Sequence, residues 1–212
     1  MEDPHLQPEP RLVIRPLTPD DFEAVVAIHD RSWEHVGSWK RDAFTHMVTT
    51  FPDGQIGVEL DGELAAVSAS LILFWDQLDP NHTYDEACQD GWIKRHRENG
   101  DMLYGFDIVV DPAHRGKRLA RRIYEARKEL VVSRNLRGIV VGGRIPKYHE
   151  HADAMSASEY VAKVLRRELR DPVVSTQRAN GFVARRILPK YLPSDKASCG
   201  YAVLMEWQNP EW

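Results

Sequence analysis

Leu103–Leu130, LYGFDIVVDPAHRGKRLARRIYEARKEL, is the stretch whose reading decides the fold. Tyr104 to Val110 combines aromatic and β-branched residues without a helical period and predicts a strand. Asp111-Pro112 closes it, because proline has no N–H for a ladder and biases the residue before it away from helix. A short basic loop, 113–117, leads into a helix from about Arg118. There Leu119, Ala120, Ile123, Tyr124, Ala126, Leu130 and Val131 mark one face of a 3.6-residue period. Lys117, Arg118, Arg121 and Arg122 crowd the first turn and a half. The helix dipole is positive at that end, and an exposed cation there is disfavoured by about 0.3–1 kcal/mol. A bound anion resolves the conflict: free N–H groups, the dipole and nearby Arg or Lys together make a phosphate site. The competing reading is a solvated basic face.

Val110-Asp111-Pro112-Ala113-His114-Arg115-Gly116-Lys117-Arg118-Leu119-Ala120 resembles the acyl-CoA-binding motif of the GNAT superfamily of N-acyltransferases, a strand followed by (Gln/Arg)-x-x-Gly-x-(Gly/Ala) and a helix. Arg115 takes the first position and Ala120 the last, whereas Arg118 stands where the middle glycine is usual. The resemblance implies that amides of the loop hold the CoA pyrophosphate and that the preceding strand pairs with the pantetheine arm. Carried onto this chain, the loop donors are Gly116, Lys117, Arg118, Leu119, Ala120 and Arg121, joined by Arg115, and the strand positions are Ile108, Val109 and Val110.

The chain has 212 residues, enough for one large domain with a proper core. Its formal net charge of −4 makes the basic stretch a local feature. Nucleic-acid binding through residues 115–134 is therefore the weakest of the functional readings. Cys88 and Cys199 match no metal spacing and read as two reduced thiols. No apolar run approaches membrane-spanning length, and MEDPHLQPEP reads as a disordered leader and not as a secretory signal. A cytoplasmic protein is the expectation.

Along the chain, 11–16 predicts a strand, and Thr18-Pro19-Asp20-Asp21 opens a helix that runs to about Trp33. A second helix is expected over 40–49. Strands over 56–60 and 63–74 are joined at Asp61-Gly62, a hairpin signal. Residues 79–100 read as an insertion or lid. Gly138 to Val141 is a buried strand running into Gly142-Gly143, where a GNAT sheet parts to admit its acyl-CoA. Ser156-x-x-Glu159 opens a helix that Pro172 is expected to stop, a helical turn covers 173–179, and strands close the chain over 182–188 and 200–207. The expected fold is α/β of GNAT type: a mixed, mostly antiparallel sheet with helices on both faces, in one domain over 11–212 with insertions near 79–100 and 147–172.

Acyl transfer from a thioester to an amine needs a polarised carbonyl, a deprotonated amine, a proton for the leaving thiolate and reactants in line. In many GNAT enzymes a tyrosine in a Tyr-x-x-x-Gly-Phe pattern protonates the thiolate; here Gly181-Phe182 is present but Gln177 holds the tyrosine position. Asp107, the acid on the core strand, is the candidate base; alternation places it with Gly105 and Val109, opposite Tyr104, Phe106 and Ile108. Tyr148 is the second candidate catalytic residue, after the parting strand, with His149 beside it. His149-Glu150-His151 lacks a third ligand, so no metal is expected. Trp33 and Trp39 flank a turn where family members contact the acceptor. The resemblance thus implies transfer of acetyl from acetyl-CoA to a small or protein amine. The alternative is a CoA-binding regulatory module with little catalysis, to which Gln177 and Arg118 point. A homodimer is a further expectation. A narrower likeness, from Gly142–Pro146, Tyr148, the helix from Ala157 and Ala179–Phe182, is to GNAT domains fused ahead of a nitrilase-type hydrolase; the expectation is a stand-alone relative or an excised domain.

Overall fold

The computed structural model describes residues 11–32 and 38–212. The expected leader and Trp33 lie outside them. The order is β1 (Leu12–Pro16), α1 (Phe22–Ser32), α2 (Arg41–Thr50), β2 (Ile56–Leu60), β3 (Glu63–Leu73), α3 (Tyr84–Cys88), β4 (Met102–Val110) and α4 (Leu119–Ser133), followed by β5 (Gly138–Arg144), α5 (Ala157–Leu165), α6 (Pro172–Ala179), β6 (Val183–Leu188) and β7 (Ala202–Gln208). The strands form one sheet in the order β1-β2-β3-β4-β5-β7-β6. Every pair is antiparallel except β4–β5. This is the mixed, mostly antiparallel sheet that the sequence predicts. Asp61 (φ 53°) and Gly62 (φ 87°) make the β2–β3 turn with both central residues left-handed, the conformation that matches strand twist.

Opposite faces of the sheet carry different helices. A Cβ at Gly105 of β4 would overlap Arg127 of α4, while its neighbour Tyr104 turns its ring to His82 and Tyr191. Alternate residues of a strand point to opposite sides, so α4 lies on one face and the segment around α3 on the other. Likewise Gly143 meets Gln177 of α6 and Gly142 meets Tyr191, which puts α6 beside α4. α1 joins the α3 face through His29, whose ring packs on Trp39 beside Phe106 of β4.

Two local readings change. Pro172 does not stop a helix: it is the first residue of α6, where its missing N–H costs nothing, with Asp171 as N-cap accepting from the Val173 and Val174 N–H groups. α5 ends earlier, at Leu165, and Arg167 leaves the helix at φ 66°. Residues 79–100 are built into the core and not laid over it. Leu78, His82, Ala87, Cys88 and Ile93 are buried, and the N–H groups of Arg97 and Asp101 bond the Ile72 and Leu73 carbonyls of β3.

Candidate active site

The sheet parts at one place. β4 and β5 pair only over Leu103–Gly105 and Ile139–Val141. Beyond Gly105 and Val141 the two strands diverge: β4 keeps β3 on its other edge and β5 keeps β7. A register shift opposite Ala69 and Ser70 puts one extra residue, Phe106, into β4 at this point. Such a bulge leaves carbonyls without ladder partners. Arg127, 1% exposed, supplies them: its Nη2 donates to Ala69 O and to Asp107 O, each at 2.7 Å. Burial lowers its pKa to about 10, so the guanidinium stays charged at neutral pH. Its presence is why residue 105 has no side chain.

The bulge also re-aims Asp107. Simple alternation predicts it on the side of Gly105. Instead its Oδ2 lies 3.2 Å from His29 Nε2, next to the Trp39 and Phe106 rings on the α1 face. Asp107 and His29 are both buried, 8% and 6% exposed, so the carboxylate and the imidazole face each other away from water. Alongside runs a chain of neutral hydroxyls. Tyr191 Oη is 3.1 Å from Tyr104 Oη, which is 2.7 Å from His82 Nε2; His82 Nδ1 is 2.8 Å from Asp79 O. Burial pushes the Tyr104 and Tyr191 hydroxyls up and the His82 imidazole down, so all three are uncharged at neutral pH. His29 falls on the apolar row of α1 with Phe22 and Val25, whereas His82 lies on no periodic row; only the fold brings both to β4.

At the far end of β4 the loop has the shape that an anion site needs. Asp111 caps the turn by accepting from the Ala113 N–H at 2.9 Å and takes Arg31 Nε at 3.0 Å. Burial opposes its charge, but Arg31 and the Ala113 amide together hold its carboxyl below the usual range. Gly116 (φ 84°) and Arg118 (φ 61°) are both left-handed. Among the described residues, the N–H groups of Gly116, Lys117 and Arg118 have no hydrogen-bond partner. Arg115, Lys117 and Arg118 are exposed around them, and none of the three has an ion-pair partner among the described residues. Arg121 turns away to Glu125 at 2.8 Å, shared with Arg122. Leu119 is buried and Ala120 partly so; Ile108 and Val110 pack toward Leu119 and Ile123, and Val109 faces the main core. Arg118 caps α4 in a conformation that costs a non-glycine residue about 1–2 kcal/mol, which is the physical reason for a glycine at that position in the motif.

Tyr148 stands apart from Asp107. Its hydroxyl donates to Met155 O at 3.1 Å and its ring packs with Tyr160 and Tyr201. Gln177 is buried over Gly143, on the α4 face, and so lies on the opposite side of β5 from Tyr191. His149 gives its ring to the Pro146 and Ala197 carbonyls. Among the described residues no cluster of three or more His, Cys, Asp or Glu has metal-holding geometry, and no helix is long and apolar enough to cross a membrane.

No family model matches the chain. Two curated relatives from Bacillus subtilis do. The chain is 39% identical over 204 residues to YhcX, a probable hydrolase, covering 96% of itself but only 40% of that protein. It is 32% identical over 202 residues to YkwB, an uncharacterized N-acetyltransferase, covering 93% of itself and 89% of YkwB. The chain belongs to the GNAT N-acetyltransferase family. Its fold is similar to the loading GNATL domain of CurA from Lyngbya majuscula (TM-score 0.83, 18% identity, 95% of this chain and 100% of that one). It is also similar to the GNAT-like decarboxylase GphF, solved with isobutyryl-CoA (0.78, 22%, 92% and 98%). The protein yncA from Salmonella typhimurium, solved with its cofactor acetyl-CoA, is more distant (0.56, 15%, 95% and 95%). The parted sheet described above is therefore a GNAT sheet.

Proposed function

We propose that this protein is an acyl-CoA-dependent N-acyltransferase that moves acetyl from acetyl-CoA to a primary amine, small or on a protein, in the cytoplasm. The observation that carries it is the parting of β4 from β5 beyond Gly105 and Val141, with unpaired amides and cations at the end of the same strand. The pyrophosphate sits on the 115–121 loop, the pantetheine arm runs along Ile108, Val109 and Val110, and the thioester lies at the bulge. Asp107, backed by His29, takes the first proton from the acceptor ammonium. Tyr148 has its place on the acceptor side, where the ring cluster that it anchors shapes the pocket. YkwB, which the chain covers almost end to end, supports the same chemistry.

Thiol release from acetyl-CoA over a panel of primary amines tests this, with CoA binding measured in parallel. Gly116→Asp is expected to weaken CoA binding by about tenfold or more, since it sets a carboxylate against phosphates at a left-handed position. Asp107→Asn is expected to lower turnover by about 10²-fold, most visibly below the pKa of the amine. CoA binding with no thiol release for any amine supports a CoA-binding regulatory module, the reading that Gln177 favours. Carbon dioxide release from malonyl-CoA supports chemistry like that of GphF instead.

A further inference from the structure

Once an amine has attacked a thioester, one proton must leave nitrogen and one must reach sulfur. Gln177 has no acid to give, and it lies on the α4 side of β5. The α3 side holds a continuous run of hydroxyls that reaches the parting of the strands. Tyr191 lies across Gly142, the first β5 residue past the last β4–β5 pair: a Cβ there would overlap its ring carbon and its hydroxyl. Its direction is fixed from the far end. The Asp79 carbonyl can only accept, so His82 Nδ1 carries the hydrogen. Nε2 of the neutral ring is then an acceptor and takes the Tyr104 hydrogen; Tyr104 oxygen in turn takes that of Tyr191. The resting chain therefore presents a lone pair of Tyr191.

We propose that Tyr191, Tyr104 and His82 form a reversible proton relay that carries the second amine proton from nitrogen to the departing sulfur. This rests on the acyltransfer reading of the same site. As the C–N bond forms, the nitrogen proton passes to Tyr191 oxygen, the Tyr191 proton to Tyr104, and the Tyr104 proton to His82 Nε2. The chain then points the other way, with Tyr191 as donor. As the C–S bond breaks, the thiolate takes the Tyr191 proton and the three groups return to rest. One proton leaves nitrogen and one arrives at sulfur, with no net change in the protein. Tyr191 is the catalytic residue in this scheme; Tyr104 and His82 act through it.

His82 is faced by Asp79 from its own segment, Glu86 from α3, Arg95 from the loop that follows, Tyr104 from β4 and Tyr191 from the stretch after β6. Burial holds it below 6.5 against the pull of Asp79 and Glu86. Protonation in the resting state reverses the chain and removes its acceptor, so turnover falls on the acid side of that value.

The full chain, labelled with ¹⁵N in histidine, tests the relay without turnover. His82 is expected as the Nδ1–H tautomer, and CoA, with its thiol, shifts the Nε2 resonance where desulfo-CoA does not; Tyr191→Phe abolishes that response. With acetyl-CoA and the amine giving the fastest thiol release, Tyr191→Phe and Tyr104→Phe are expected to lower kcat by about 10²-fold with CoA affinity within twofold, and His82→Gln removes the acid limb of the pH profile. CoA that binds but leaves His82 unmoved overturns the relay, as do phenylalanine variants within threefold of wild type with an unchanged pH profile. Failure of CoA to bind at all overturns the acyltransfer reading itself, and the relay falls with it.

Discussion

Gly142 and Gly143 are neighbours on β5, yet the two faces that they divide are built on different physics. On the Gly143 side, α4 offers exposed cations, unpaired amides and one buried guanidinium, a face suited to holding charge. On the Gly142 side are uncharged phenols, an imidazole and the Asp107 carboxylate beside His29, a face suited to moving protons. Charge that must be bound is left near water, where it is cheap to keep; groups that must exchange protons are buried, where their direction can be fixed. The lesson is that the two tasks are separated by the thickness of one strand.

The strongest way to break this comparison is Arg127→Met. It strips partners from the Ala69 and Asp107 carbonyls, each a buried acceptor whose loss costs about 1–3 kcal/mol, so urea denaturation is expected to show about 2–4 kcal/mol lost. A change under 1 kcal/mol means that water replaces the guanidinium and that the bulge does not depend on it. Next come the glycines themselves. Gly142→Ala drives a methyl into the rigid Tyr191 ring and is expected to cost about 1–3 kcal/mol, whereas Gly143→Ala meets the flexible end of Gln177 and is expected to cost clearly less. Equal losses in thermal melts remove the asymmetry between the faces.

His82 sharpens the contrast through pH. The folded chain holds it neutral below its ordinary 6.5, so the unfolded chain binds the proton first. Its contribution to stability is complete above about pH 6.5 and declines as pH falls from there to the folded value, by at most about 1.4 kcal/mol per pH unit. His82→Gln is expected to flatten that part of the stability–pH curve; an unaltered slope means that the imidazole is not buried neutral. The smallest effect is Arg118→Gly, expected to raise stability by about 1 kcal/mol by relieving a left-handed arginine. It is also expected to weaken CoA binding and flatten its salt dependence if the side chain reaches a phosphate; tighter binding means that the arginine was an obstruction.

The element order was readable because it rests on local period: Leu119, Ile123 and Val131 announce α4, and Asp61-Gly62 announces its hairpin. The loop on which the phosphate reading rests was legible for the same reason, since all its parts are consecutive. What alternation alone misread was Asp107, because a bulge inserts a residue that no pattern marks and turns the side chain over. Arg127 had left a trace: it falls on the buried i, i+4 row with 119, 123 and 131, and a cation in such a row asks for carbonyls to bind. His29 left only its place on the apolar row of α1 with Phe22 and Val25, and His82 and Tyr191 left none. They meet β4 from three separate segments, and only tertiary structure joins them.

Arg127 has one more consequence, a mechanical one. It stands eight residues along α4 from Leu119, and a helix rises about 1.5 Å per residue, so the guanidinium that grips the bulge is about 12 Å from the turn that faces the basic loop. A helix is stiff over two turns. The first turn of α4 and the bend in β4 are thus the two ends of one lever, and a displacement at one end arrives at the other. A ligand seated on the loop is therefore expected to tighten the bulge, and slowed exchange of the β4 amides, well away from the loop, is the measurement that checks it; unchanged exchange on CoA binding means that the two ends move independently.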